Sequence, residues 1–153
     1  MAVRTPQGLY DPQDERDACG FGMVAQLDDQ PSRLLVDTAI AALSRMTHRG
    51  GVAADGLTGD GCGLLLRKPT VFLRQLAEEA GIVLGPNFAA GVVFLPHDAD
   101  AAQRCRDELD AQLRAAGCHP RGWREVPTDD SVCGQLARDT LPKIEQVFVD
   151  ADI

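Results

Sequence analysis

Apolar and polar residues fall into blocks whose period changes several times along the chain, and each change predicts an element. Residues 1–18 (MAVRTPQGLYDPQDERDA) are polar and acidic, with few aliphatics beyond Val3 and Leu9, and read as a leader ahead of the folded part. Apolar side chains then crowd residues 21–27 (FGMVAQL) and stop at Asp28-Asp29-Gln30-Pro31, a run bounded by turn chemistry that predicts a buried strand. From Ser32, an N-cap residue type, Leu35, Ala39, Ala42, Leu43 and Met46 recur at helical spacing, and Gly50 and Gly51 supply a stop. Residues 56–63 (GLTGDGCG) predict a loop, and Leu64-Leu65-Leu66 after it a short buried strand. Thr70 predicts the cap of a helix carrying Phe72, Leu73, Leu76 and Ala80 that ends at Gly81. A strand is expected over Phe88–Leu95, closed by Pro96. The strongest helix follows, with Asp98 as N-cap, a stripe of Ala102, Cys105, Leu109, Leu113 and Ala116, and Gly117 as its stop. Residues 123–126 and 144–149 (IEQVFV) are further candidate strands.

Strands and helices therefore alternate, so both faces of a sheet need helical cover and a layered fold of mixed α and β elements is expected. The 153 residues suffice for about one domain. The last candidate strand runs almost to Ile153 and leaves no room for an element to pack on it. The expectation is a chain cut inside a larger domain.

Composition narrows the class. Apolar residues make up 44% and charged residues 25%, the balance of a water-soluble globule. The net charge of -8 repels phosphate backbones and anionic lipid surfaces, which argues against nucleic acid and membrane partners. No apolar run approaches the roughly 18 residues of a membrane span, and the first 18 residues lack the apolar core of a secretory signal, so the expected compartment is cytoplasmic. Cys19, Cys62, Cys105, Cys118 and Cys133 form an odd set with no C-x-x-C, matching neither a disulfide framework nor a zinc site. They read as reduced thiols, and no metal site is expected.

Three constellations carry candidate chemistry. Asp17-Ala18-Cys19-Gly20 lies at the junction of leader and candidate strand. A free cysteine there is most simply a small buried hydrophobe. The sharper reading is that cleavage after Ala18 leaves Cys19 with a free α-amine, which titrates at about 7.7–8.0 and so can act as the base for its own thiol. His48-Arg49-Gly50 sits at a helix end, where basic residues and glycine are favoured by the helix dipole and the C-terminal turn. The functional alternative places Arg49 beside the nucleophile, where a permanent cation stabilises thiolate and orients an anionic group. Thr58-Gly59-Asp60-Gly61-Cys62-Gly63 lacks both the P-loop lysine and the Rossmann glycine spacing, leaving a tight turn or a backbone packed against an active centre. His97 and His119, each beside a proline, read as surface turn residues, and Cys105 as core.

Taken in order, Gly8-Leu9-Tyr10-Asp11-Pro12, Glu15, Asp17-Ala18-Cys19-Gly20, His48-Arg49-Gly50, Ala54-Asp55 and Thr58-Gly59-Asp60-Gly61 resemble the start of the large subunit of the glutamate synthase family. The likeness continues through Gly122-Trp123-Arg124, Val126-Pro127 and Ile144-Glu145-Gln146-Val147-Phe148, so it spans essentially the whole chain. Cys62 and Gly51 stand where the family usually has alanine, and Asp130 where asparagine is common.

The resemblance implies an α+β fold, the four-layer αββα sandwich of the N-terminal-nucleophile (Ntn) hydrolases, incomplete in this chain. It implies a division into a leader over 1–18 and the N-terminal part of a class II glutamine amidotransferase domain over 19–153. Cys19 takes the nucleophile's place, supported by Arg49 and Gly50. L-glutamine is the implied substrate, hydrolysed to glutamate and ammonia through a Cys19 thioester, with the ammonia used in reductive amination of 2-oxoglutarate. No cofactor is expected in this segment. The family implies FMN and an iron-sulfur cluster in further domains, electrons from NADPH through an FAD-bearing small subunit or from ferredoxin, and those remaining domains as partners. The glutamine-carboxylate arginine, oxyanion-hole asparagine-glycine and amine-binding aspartate are expected beyond residue 153, so the isolated chain is expected to be inactive. The alternatives are a split amidotransferase module that only docks, and an amidotransferase of purine or amino-sugar synthesis, against which the long leader argues.

Overall fold

The computed structural model describes residues 20–46, 51–59 and 61–151. The leader, Cys19 and His48-Arg49-Gly50 lie outside the described residues. The chain divides into two compact units, Met1–Leu64 and Leu65–Ile153.

In the first unit the helical spacing after Ser32 gives α1 (Arg33–Ser44). Leu35, Ala39, Leu43 and Met46 of the predicted stripe are half-buried, while Ala42 is exposed. The Ser32 side chain makes no cap hydrogen bond. Residues 21–27 form no strand, a correction to the sequence reading: Phe21 is 96% exposed and Leu27 fully so. A strand needs a neighbour to take its backbone N–H and C=O groups, and among the described residues nothing pairs with this segment. The same correction applies to Leu64-Leu65-Leu66, which is irregular with Leu65 exposed.

In the second unit the chain runs α2 (Thr70–Glu79), β1 (Phe88–Leu95), α3 (Ala99–Ala115), β2 (Cys118–Glu125), a single turn α4 (Gln135–Arg138) and β3 (Lys143–Ala151). The sheet has the order β1-β3-β2 and both pairings are antiparallel. β1 covers the predicted residues; β2 and β3 are longer than expected because their ends carry Pro120, Lys143 and Asp150, which dilute the apolar signal. Being central, β3 is covered on both faces, and residues 145–149 are all buried.

Alternation along β3 sorts the packing. Phe148, fully buried, meets Ala77 of α2 and Ile82, with Leu73, Leu76, Leu84 and Ala90 around them. Burying such a phenyl ring stabilises by about 1.5–3 kcal/mol. Gly122 lies opposite Phe148, and a Cβ there would come within 2.8 Å of Ile82, so glycine is what lets the α2 connection close on the sheet. Glu145 and Val147 point the other way, toward α3, whose Asp110 accepts a hydrogen bond from Trp123 Nε1 at 3.1 Å.

α3 starts as predicted, the Asp98 carboxylate accepting from Ala101 N at 2.8 Å. Its buried stripe is rotated from the expected one. Ala102 is buried, Arg106, Leu109, Asp110 and Leu113 are half-buried, and Cys105 and Ala116 are exposed. The reason is electrostatic. Arg106 takes the sheet-facing position that apolar counting assigned to Cys105, because Glu145 on the strand beneath requires a cation.

The β2 register shifts between Pro120 and Gly122. The irregularity falls at Arg121, whose Nε lies 3.2 Å from both Val83 O and Asp150 Oδ2. Asp150 also accepts from Gly85 N at 3.0–3.1 Å, so one carboxylate ties β3, the α2–β1 connection and the bulged strand together.

Candidate functional site

The described part of the candidate site is the turn that follows His48-Arg49-Gly50. Val52 and Gly59 form an isolated antiparallel bridge, and Ala53 N donates to Thr58 O at 2.7 Å. Between them the chain reverses over Ala54-Asp55-Gly56-Leu57, with Gly56 N donating to Ala53 O at 3.0 Å and Gly56 itself at φ +71, a conformation that glycine adopts without steric cost. Asp55 organises the turn. Its Oδ1 accepts from Leu57 N at 3.1 Å and Thr58 N at 2.8 Å, and its Oδ2 accepts from Thr58 Oγ1 at 2.5 Å. An aspartate that bonds the backbone two and three residues on pre-forms such a reversal.

The bridge brings the segment after His48-Arg49-Gly50 against the start of Gly59-Asp60-Gly61. Gly51 O would lie 3.1 Å from a Cβ at Gly59, so the two backbones approach closely. Gly51, Val52, Ala53, Thr58 and Gly59 line a depression of about 320 Å³. The tight turn thus lies over Ala54-Asp55-Gly56-Leu57, ahead of the glycine-rich stretch, and the close backbone approach is that of Gly51 to Gly59.

Of the sequence-derived site residues, Cys19, Arg49 and Gly50 lie outside the described residues. The remaining thiols are free. Cys62 and Cys105 are exposed, and Cys118 and Cys133 are partly buried. Among the described residues no three His, Cys, Asp or Glu side chains converge as metal ligands, and no helix is long and apolar enough to cross a membrane. His97 and His119 are exposed; the His97 ring lies 2.6 Å from Leu141 O.

The strongest electrostatic feature is one the sequence reading missed. Glu145, 4% exposed, is held by Arg106 through two contacts, Nε to Oε2 at 2.8 Å and Nη2 to Oε1 at 2.9 Å, and by Lys143 Nζ at 2.8 Å. Hydrogen bonding from Arg106 outweighs the opposing effect of burial, and with help from Lys143 it pulls the Glu145 carboxyl down to about 2 from the ordinary 4.5. The same pair pushes the Arg106 pKa up. Two cations thus share one buried carboxylate, and the cluster fastens α3 to the sheet. A glutamate inside the apolar run Ile144-Glu145-Gln146-Val147-Phe148 was the available signal, since a charge at a covered strand position needs a partner.

The model of the class-II glutamine amidotransferases matches residues 19–153. The glutamate synthase [NADPH] large chain of Azospirillum brasilense is 40% identical over 150 residues, covering 97% of this chain and 10% of that protein. Ferredoxin-dependent glutamate synthase 1, chloroplastic/mitochondrial, of Arabidopsis thaliana is 40% identical over 143 residues, covering 92% of this chain and 9% of that protein. The glutamate synthase [NADPH] large chain of Bacillus subtilis (strain 168) is 33% identical over 145 residues, covering 95% and 10%. The chain thus spans about a tenth of the length of these relatives. With the family pattern matched from Cys19 onward, the chain belongs to the class-II glutamine amidotransferases.

Proposed function

We propose that this segment carries the nucleophile of a glutaminase and works within a longer glutamate synthase. The observation that carries the reading is the family match over residues 19–153, which begins on the cysteine of Asp17-Ala18-Cys19-Gly20. Removal of residues 1–18 frees the Cys19 α-amine. The α-amine takes the thiol proton, the thiolate attacks the side-chain amide carbon of L-glutamine, the C–N bond breaks, and the amide nitrogen leaves as ammonia with that proton returned from the α-ammonium. Water then cleaves the γ-glutamyl thioester, releasing glutamate and restoring the thiol. Arg49 supplies a permanent cation for the thiolate or an anionic group, with Gly50 in support. The ammonia serves reductive amination of 2-oxoglutarate to a second glutamate in the full-length protein. FMN and an iron-sulfur cluster held by other parts of the longer protein would supply the electrons for that reduction. The alternation of helices with an antiparallel sheet supports the αββα sandwich of the Ntn hydrolases as the parent fold.

The leader reading leans on the cysteine motif and the start of the family match, because residues 21–27 do not provide the buried strand that first marked the boundary. N-terminal sequencing of fully active full-length protein is expected to begin at Cys19. Finding Met1 or Ala2 there would defeat the α-amine mechanism.

Arg49→Lys separates a site role from helix capping. Lysine keeps the charge and the favourable dipole interaction but loses the planar fork. Glutamine-dependent kcat/KM is expected to fall by about tenfold or more, the scale of one lost charge-assisted hydrogen bond. Unchanged glutaminase kinetics would return Arg49 to a capping role.

A further inference from the structure

The sheet β1-β3-β2 has two edges of opposite character. The β2 edge is blunted: Cys118–Glu125 carries Pro120, a register shift between Pro120 and Gly122, and the charges of Arg121, Arg124 and Glu125, all of which discourage a further strand. The β1 edge has none of these devices. Phe88–Leu95 (FAAGVVFL) holds no charge and no proline, and it pairs with β3 without interruption along its whole length. Ala151 N donates to Asn87 O at 3.2 Å, so residues 87, 89, 91, 93 and 95 turn their backbone groups toward β3, while Phe88, Ala90, Val92 and Phe94 turn theirs outward. Lys68 Nζ agrees with that sense by donating to Phe88 O at 2.8 Å. Among the described residues no strand pairs with the outer side of β1. Val92 and Phe94, on the sheet face that holds Phe148, are 57% and 68% exposed.

We infer that the outer edge of β1 docks a second copy of this chain, the two β1 strands joining antiparallel about a two-fold axis at Val92 to make one continuous sheet. The strand is complementary to itself in that register. Val92 meets the partner's Val92, and Phe94 meets the partner's Ala90, so each large ring lies beside a small side chain. On the other face Gly91 leaves room for the partner's Val93. The outward N–H and C=O groups of Ala90, Val92 and Phe94 find those of the partner's Phe94, Val92 and Ala90. The ladder stops where the strand does: Phe88 falls opposite the partner's Pro96, which has no N–H to give, and Phe88 O already accepts from Lys68. Charge fits as well. No like charges oppose one another along the seam, and Lys68 at one strand end comes beside the partner's stretch leading into Asp98 and Asp100.

The test is a charge exchange on the axis, read by sedimentation of the 153-residue chain. Wild type is expected to pass from 16.4 kDa toward twice that mass as its concentration rises to about 200 µM, the range of a modest interface. Val92→Lys and Val92→Asp each set like charges face to face and are expected to weaken association by about tenfold or more, whereas an equimolar mixture of the two pairs opposite charges and should restore the doubled mass. Trp123 emission checks that each variant is folded. Should both unfold, Val92→Pro takes their place: it removes only an outward N–H and is expected to abolish the doubling. A wild type that stays monomeric, a doubled mass that persists in the single variants, or a mixture that stays monomeric would each overturn the proposal. Protection of the Ala90, Val92 and Phe94 amides from hydrogen exchange should rise with concentration. Protection independent of concentration would put another segment of the same chain on this edge and overturn the second copy. In the full-length protein, differently tagged Val92→Lys and Val92→Asp copies are expected to co-purify in preference to either variant with itself, and no such preference overturns the proposal too.

Discussion

Cys19→Ser in the full-length protein is expected to abolish glutamine-dependent activity, by on the order of 10³-fold or more, and to leave ammonia-dependent synthesis largely intact. Serine preserves size and hydrogen bonding but offers a hydroxyl that is not ionised near neutral pH, so the attacking anion is lost while the chemistry downstream of ammonia is untouched. A glutamine-like electrophile such as a diazo-ketone analogue should label Cys19 before the other four thiols, and excess glutamine should slow that labelling. Accessibility sharpens the competition. Periodicity placed Cys105 in the core, but it is exposed on α3, so both Cys62 and Cys105 are open to reagent. Access without activation gives labelling that glutamine does not slow. A glutamine-protected adduct mapped to Cys62 would overturn the assignment of Cys19, and retention of glutamine-dependent turnover in Cys19→Ser would remove the thioester from the mechanism.

Legibility in the sequence followed how locally each feature is determined. β1 and the start of α3 were readable because Phe88–Leu95 is an unbroken apolar run and Asp98 bonds a backbone N–H three residues on. Cys118–Glu125 was only half visible: Pro120 and Gly122 read as breakers, yet a β-bulge accommodates the first and the close approach of Ile82 calls for the second. Residues 21–27 show the opposite failure. Their apolar run is strand-like, but strand formation depends on a partner that composition does not reveal.

The candidate site was legible as a set of motifs and illegible as an arrangement. Cys19 and Arg49 came from motif order, which says nothing of distance. The Asp55 turn was within reach, because Asp-Gly-x-Thr followed by glycine is turn chemistry of the kind that bonds its own backbone. The Arg106–Glu145 pair was not, since its members are 39 residues apart in sequence and each looks like an ordinary surface charge until the strand is known to be central.

That pair has the largest expected effect on stability. Glu145→Ala leaves the Arg106 guanidinium, 18% exposed, without its bidentate acceptor and Lys143 without its nearest carboxylate. Removing one partner of a buried pair costs about 3–5 kcal/mol, a large share of what a small unit has to spare. Trp123 is the single tryptophan and lies on the sheet face that α3 covers, so its fluorescence reports unfolding of this unit. The urea midpoint of Glu145→Ala is expected to fall by about 2 M or more. The pH dependence follows from the sign of the shift. The folded carboxyl sits near 2 and the unfolded one near 4.5, so the pair's contribution is fully present above about 4.5 and is lost as pH falls from there toward 2. At pH 6 wild type should exceed Glu145→Ala by the full margin, and at pH 3 the margin should have narrowed by more than half. A constant margin across that range would mean that packing of the glutamate stem, and not its charge, holds α3 on the sheet. The double variant Glu145→Leu with Arg106→Met replaces the pair by apolar side chains. It should recover most of the lost midpoint and show no such pH dependence, because no buried charge is left unmatched.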